Sequence, residues 1–334
     1  MTRPHARAGR YSGRRPMTTE FQDLSPADLR SARARVAKGA RFTPLLPSDA
    51  LSERLGHPVA LKCENLQAGG AFKIRGASNF LARTIEAGKP RGVITYSSGN
   101  HAIATALAAR RAGVPAVVVM PETAPAVKLE RVRALGAEVH LAGRTSTDRF
   151  ERAEALRKER GLTMMPPFDH PFIVAGQATC GTEILEQLPE VDTVLVPVGG
   201  GGLMAGVALA CGYHRAAIKV IGVEPAGAAK MSSSLRAGAP VTLQGVESIA
   251  DGLLTLRPGD LTFSIARRFV AEVVTVDDRA IREAAAWLLR HEHLLVEWSG
   301  AVGVAALLSG ACRPSGSATA VVLSGGNVDP ASIL

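Results

Sequence analysis

Thr193-Val194-Leu195-Val196-Pro197-Val198-Gly199-Gly200-Gly201-Gly202-Leu203-Met204-Ala205-Gly206-Val207-Ala208 is the stretch that decides the fold. Thr193 to Val198 is an apolar, largely β-branched run, the glycines form a turn, and Leu203 to Cys211 has helical composition, so the order is strand, loop, helix. The uncharged run Thr193–Tyr213 is long enough to span a bilayer, but Pro197 and six glycines argue against a membrane helix. Outward from it the same alternation repeats. Further strands are expected at Val59–Lys62, Gly92–Tyr96, Ala116–Met120, Glu138–Leu141, Ile218–Val223, Glu272–Val276 and Thr319–Leu323. Helices are expected at Ala27–Lys38, Ala71–Ala87, Asn100–Ala112, Ala126–Leu135, Arg149–Arg160, Gly181–Gln187, Leu203–Cys211, Asp278–Glu292 and Ser299–Leu308. Strands apolar almost throughout, alternating with helices, predict a parallel α/β architecture with helices on both faces.

The glycine run admits two chemical readings. Counted from Gly200 it fits a G-x-G-x-x-A dinucleotide fingerprint with Ala205 in third place and Glu224 as the ribose-binding acid. More generally, Gly199–Gly202 is an anion cradle: glycines let backbone N–H groups converge without Cβ obstruction, and the following helix start adds partial positive charge. A phosphate is the natural guest, although a tight turn under close packing would also use glycine.

With 334 residues, 46% hydrophobic and 21% charged, the chain has material for two domains or one large interrupted one, and is not disordered. Aromatic residues make up only 4% and do not interleave with basic ones, which argues against nucleic acid as a partner. Five arginines against one acid lie in residues 1–20, so part of the net charge of +9 belongs to a basic tail expected to be disordered. The four cysteines are scattered with no C-x-x-C pair, which suggests a reduced, cytoplasmic compartment. No apolar leader follows the tail and no membrane association is expected.

Only eight of the 39 basic residues are lysine. Lys73, in Gly69-Gly70-Ala71-Phe72-Lys73-Ile74-Arg75-Gly76-Ala77, has small and apolar neighbours that would disfavour its ammonium and expose a nucleophilic amine. A helix lysine reaching to water is the plainer alternative. Tyr96-Ser97-Ser98-Gly99-Asn100-His101-Ala102 follows a strand and opens an Ala-rich helix, where hydroxyls and free N–H groups can surround a carboxylate. Ser324, in Leu323-Ser324-Gly325-Gly326-Asn327, stands at the end of the last strand, where ligands of open α/β sheets bind. Lysine, carboxylate nest, phosphate cradle and strand-end hydroxyl are together what pyridoxal 5'-phosphate and an amino acid require. His291 and His293, two apart on a helix, diverge too far to share a metal.

In this order and spacing, these blocks resemble the serine/threonine dehydratase and serine racemase family of fold-type II pyridoxal-phosphate enzymes, tryptophan synthase β-like in fold. The resemblance runs from Thr43-Pro44-Leu45 through Leu61–Gln67, Pro167-Phe168-Asp169, Ala175-Gly176-Gln177 and Ala250-Asp251-Gly252 to Asn327. It implies two open twisted sheets with the cofactor in the cleft between a large domain, residues 21–92 and 166–334, and a small mobile one, residues 93–165. It further implies that Lys73 carries the cofactor as a Schiff base and removes the α proton. Phe72 would pack on the ring, Asn100 would meet its hydroxyl, Gly199, Gly200, Gly201 and Gly202 would hold its phosphate, and Ser324 would face its nitrogen. Ser97, Ser98, Asn100 and His101 would bind the substrate carboxylate, with Ser98 also placed to return a proton from the opposite face. Glu297 resembles a family acid near the cofactor.

The activity implied is dehydration of L-threonine or L-serine to 2-oxobutyrate or pyruvate and ammonia. Serine racemisation, or dehydration of a related substrate such as 3-hydroxyaspartate, is the alternative. A homodimer or higher homo-oligomer acting on a small amino acid is expected. The resemblance also implies oxygen ligands for a divalent metal at Glu224 and the Ala228 carbonyl, but Lys230 stands where an acidic ligand is expected. An ammonium cannot ligate a cation but could occupy the site and pair with Glu224, so little or no magnesium or calcium dependence is expected.

Overall fold

The computed structural model describes residues 24–97, 99–124, 126–143 and 146–333; the basic tail, residues 1–20, and Ser98 lie outside them. In chain order the elements are α1 Pro26–Val36, β1 Leu45–Pro47, α2 Asp49–Leu55, β2 Val59–Lys62, α3 Lys73–Ala87, β3 Val93–Tyr96, α4 Asn100–Ala112 and β4 Ala116–Met120. They continue as α5 Ala126–Ala134, β5 Glu138–Leu141, α6 Ser146–Arg160, β6 Thr163–Met164, α7 Pro171–Gln187, β7 Thr193–Pro197 and α8 Gly202–His214. The last are β8 Lys219–Pro225, α9 Lys230–Ala237, α10 Asp260–Phe269, β9 Glu272–Val276, α11 Asp278–His291, α12 Trp298–Ser309 and β10 Thr319–Val322.

The larger sheet has six strands in the order β1-β2-β10-β7-β8-β9, parallel except for β1, which runs against β2. The last strand is thus threaded between β2 and β7, with Val321 level with both Leu61 and Leu195. Alternation along these strands serves two cores. Val194, Val196, Ala320 and Val322 pack with α1, α7, α8 and α10, while Leu195, Val321 and Leu323 pack with α2, α11 and α12. Both faces being covered, the strands read as continuous apolar runs. The chain between β2 and β7 contributes a second, wholly parallel sheet, β5-β4-β3-β6, with its own cores on either face. Carboxyl ends of β2, β10, β7 and β3 lead into Lys73, Ser324, the glycine run and Ser97–His101 respectively.

Two sequence expectations need correction. α7 begins at Pro171, ten residues before the expected Gly181. It is buried nearly all round, so it carries no apolar stripe. Its start is set instead by Pro171 in the first turn and by His170 Nδ1, which accepts from Phe172 N at 3.1 Å. Gly176, Gly181 and Gly206 let α7 cross α3 and α8 closely: a Cβ on Gly206 would lie 2.5 Å from Ala178 N. Second, α2, α9 and α10 form where no helix was expected.

A buried ion cluster ties the start of α3 to α7. Arg75, 0% exposed, donates to Glu64 through Nε (2.7 Å) and Nη2 (2.8 Å), and to Glu183 through Nη1 (2.6 Å) and Nη2 (2.7 Å). Lys62 completes the charge balance with Glu183 Oε2 at 2.7 Å. Burial alone would raise the Glu64 pKa, yet the Arg75 guanidinium holds it below the usual carboxylate range.

Candidate active site

The loops at the carboxyl ends of the strands enclose a cavity of about 420 Å³ that reaches Phe72, Lys73, Ser97, Asn100, His101, all four glycines and Ser324. The expected site residues that are described therefore meet in one place. Ser98 falls outside the described residues.

Lys73 is the first residue of α3, with Phe72 half in the helix and the Phe72 N–H donating to the Ser324 carbonyl at 3.1 Å. This bond links the lysine's base to the end of β10. Lys73 Nζ donates to the Pro167 carbonyl at 2.7 Å and sits 5.1 Å from the Phe72 ring centroid. Burial pulls its pKa down to about 8, so a minor but useful fraction, roughly a tenth at pH 7, is free amine, far more than for an ordinary lysine. The water-reaching alternative for this lysine does not describe what is seen.

Glycine is needed in the loop for close approach. A Cβ on Gly200 would fall 2.4 Å from the Phe168 ring, and Gly201 has a φ of +98° with Met231 and Thr262 2.8 Å from where its Cβ would be. Thr262 Oγ1 donates to the Gly200 carbonyl at 2.7 Å, and the Gly259 N–H donates to the same oxygen at 3.2 Å, fixing the loop from α10. Gly202 then opens α8, whose first N–H groups are free to donate to an anion. Glu224 does not point to a ribose site. Its oxygens accept from Met231 N (2.8 Å) and Ser232 N (3.0 Å) at the start of α9, so the dinucleotide reading loses its acid. Glu224, Ala228 and Lys230 lie outside the cavity lining and meet beside Val198, at the base of the loop.

His101 is neutral: burial, and then the nearby Lys73, take its pKa down to about 3. Its Nε2 meets the Met165 carbonyl at 3.2 Å, so that nitrogen carries the hydrogen and Nδ1 is left as an acceptor. Positive charge beside Gly99 comes instead from Lys128 of α5. Its ammonium would lie 3.3 Å from a Cβ on Gly99, and it pairs with Asp251. Asn100 Nδ2 donates to Glu297 Oε1 at 2.6 Å and Asn100 Oδ1 accepts from Asn327 at 2.8 Å. Glu297 Oε2 is buried with no partner among the described residues.

Burial, reinforced by the Asp251 carboxylate and opposed by Lys128 and Asn100, pushes Glu297 up to about 7. The folded chain therefore holds this proton more tightly than the unfolded one. Its stabilising effect is complete below pH 4.5 and is lost as pH rises through about 7. Relative to Glu297→Gln, cofactor-free protein is expected to lose roughly 3 kcal/mol over that interval. Urea midpoints at pH 5 and pH 8 measure it; parallel profiles for the two proteins would contradict it.

Phe168, Thr262, Lys128 and Arg149 belong to the site or support it without having been singled out by the sequence. Phe168 alone had a signal, lying in the Pro167-Phe168-Asp169 stretch that the resemblance covers. The others arrive from distant segments.

The chain belongs to the pyridoxal-phosphate dependent enzyme family, whose model matches residues 36–325. It is 42% identical over 302 residues to an L-threonine ammonia-lyase of Thermotoga maritima, spanning 90% of this chain and 75% of that one. It is 38% identical over 302 residues to an L-threo-3-hydroxyaspartate ammonia-lyase of Saccharomyces cerevisiae, spanning 90% and 93%. Among solved structures, maize serine racemase matches with a TM-score of 0.88 at 39% identity, over 91% of this chain and 94% of that one. The two-sheet α/β architecture is the fold-type II arrangement that the sequence resemblance implied.

Proposed function

We propose that the chain is an ammonia-lyase that converts L-threonine or L-serine to 2-oxobutyrate or pyruvate and ammonia, using pyridoxal phosphate. The observation that carries this reading is Lys73: a desolvated amine with a pKa of about 8, opening into the same cavity as a glycine cradle at a helix start. The residues fit the cofactor. Gly199–Gly202 would take the phosphate, Lys73 the carbonyl carbon, Phe72 one face of the ring and Ser324 the ring nitrogen, while Asn100 and the orphaned Glu297 Oε2 offer polar atoms toward its edge. When bound, pyridoxal phosphate supplies an electron sink for negative charge at the substrate's α carbon.

The chain's own groups do the rest. Lys73 Nζ, as free amine, accepts the α proton. Ser97, the N–H groups at the start of α4 and the adjacent Lys128 ammonium hold the carboxylate. Ser324 is a neutral hydroxyl and does not impose a positive charge on the ring nitrogen, which favours departure of the β-hydroxyl over transfer of the amino group. The second sheet, residues 93–165, acts as the small domain that closes on the large one, residues 21–92 and 166–334, and excludes water. Lys128 to Asp251 and Asn100 to Glu297 already join the two. The proposal includes a cytoplasmic setting, supported by four buried free cysteines, and a homo-oligomer. Among the described residues no helix is long and apolar enough to cross a membrane.

A second reading is favoured by the cations of Arg149 and Arg257 in the cavity lining, which suit the extra carboxylate of 3-hydroxyaspartate. A panel of L-threonine, L-serine and threo-3-hydroxyaspartate, assayed for oxo acid and by chiral amino-acid analysis, separates the readings. Dehydration of threonine or serine is expected to dominate, with measurable serine racemisation beside it. Ser98→Ala is expected to suppress racemisation more than elimination. Equal losses in both would reduce Ser98 to a carboxylate ligand.

A further inference from the structure

Lys230 is the first residue of α9 and is 0% exposed, as is Glu224. Its Nζ lies 3.0 Å from the Val198 carbonyl, 3.0 Å from that of Ala228, 2.9 Å from that of Leu253 and 3.2 Å from Glu224 Oε1. Four oxygens from three separate stretches of chain surround one nitrogen. Carbonyls and a carboxylate present only lone pairs, so an ammonium with three N–H groups satisfies this cage and a free amine with two does not. Glu224 is held in turn by the Met231 and Ser232 N–H groups, so it cannot swing away.

The cage sits at the glycine loop. Val198 directly precedes Gly199, and Leu253 ends the turn whose Gly252 carbonyl lies 3.2 Å from where a Cβ on Gly199 would be. Lys230 thus bonds the first side of the loop to the segment packed across it. One ammonium and one carboxylate cancel, and the interior gains no net charge. The divalent cation that the sequence resemblance implied at Glu224 and Ala228 does not fit alongside it. Both oxygens already serve the ammonium, and a second cation would face it at short range.

We propose that Lys230 is a tethered cation: it fills an all-oxygen cage, holds the glycine loop in its anion-binding shape, and makes the protein independent of any dissociable ion there. This rests on reading Gly199–Gly202 as the cofactor's phosphate site. Removing the aminobutyl arm would leave Glu224 and three carbonyls around a vacancy. Neutrality then calls for one positive charge, so ammonium or potassium suits the vacancy better than magnesium, which demands octahedral oxygens at roughly 2.0–2.1 Å.

The test compares wild type, Lys230→Ala and Lys230→Met after chelation, in tetramethylammonium buffer, with ammonium, potassium, magnesium or calcium added back. Wild-type cofactor affinity, activity and thermal midpoint are expected to change less than twofold, or by no more than about a degree, with any of these ions. Lys230→Ala is expected to bind cofactor at least tenfold more weakly and to regain most of it, saturably, with ammonium or potassium. Lys230→Met, whose thioether fills the space without charge, is expected to lose affinity and not recover it. Thermal midpoints of the cofactor-free proteins report the cage by itself: a cation-dependent rise in Lys230→Ala without recovery of cofactor affinity would fault the loop's assignment and not the cage. Strong activation of chelated wild type by any of the ions overturns the proposal whether or not the variants fold. So would a Lys230→Ala protein that is either unimpaired without cations or not restored by any of them.

Discussion

Arg75→Met is expected to destabilise the protein by about 3–5 kcal/mol, the penalty for stranding buried carboxylates by removing their partner. The Arg75 guanidinium spends its donors on Glu64, Glu183 and Thr179, all in the interior, and Lys62 alone cannot neutralise two carboxylates. The loss reaches beyond stability, because Arg75 stands two residues from Lys73 on α3 and anchors that helix to α7. Urea unfolding of the cofactor-free protein measures the effect. A triple variant, Arg75→Met with Glu64→Gln and Glu183→Gln, is expected to recover part of the loss, since it removes the stranded charges too. A loss below about 1 kcal/mol for the single variant would mean that water or a shift in protonation relieves the cluster.

Lys73→Ala is expected to lower kcat/KM by at least about 10³-fold, since one substitution removes both the covalent anchor and the group that accepts the α proton. Stability is expected to move little. Among the described residues Lys73 forms no ion pair and one hydrogen bond, to the Pro167 carbonyl, and its ammonium is disfavoured where it stands. The combination of a large catalytic loss with a nearly unchanged thermal midpoint in the cofactor-free state separates a chemical role from a packing one. Retention of more than a tenth of the wild-type rate would remove Lys73 from the chemistry.

The parts of the fold legible in the sequence are those with an unambiguous local signature. β2, β4, β7 and β10 are apolar on both faces because each face meets its own helical layer, and the glycine run breaks β7 from α8 as a steric necessity. Where burial is uniform the signature disappears, which is why the first ten residues of α7 carry no helical stripe. α9 and α10 lack a local signal for a different reason. α9 has eight residues, and both its ends are fixed by remote contacts such as Glu224. Asp169 is 91 residues from the Asp260 N–H it accepts from, at the start of α10. In the site, residue types suggest a chemistry and the structure supplies the electrostatics. Lys73, Asn100 and Ser324 stand out in their blocks, and all three line the one cavity. Neither the proton on Glu297 nor the neutrality of His101 follows from local sequence, because both are set by burial and by charges on other strands and helices. Lys230 lies between the two: its identity argues against a metal and for a pair with Glu224, and the structure adds the three carbonyls that complete the cage.

Reduction of the cofactor-loaded protein with borohydride, followed by peptide mapping, tests the central claim most directly. Lys62 and Lys230 are the other interior lysines, and each is committed elsewhere, Lys62 to Glu183 and Lys230 to the cage at Val198. Among the described residues lining the cavity, Lys73 is the only lysine. The pyridoxyl group is therefore expected on the peptide containing Lys73, at close to one per chain. Its recovery on Lys62, Lys230 or a surface lysine, with Lys73 unmodified, would contradict the account.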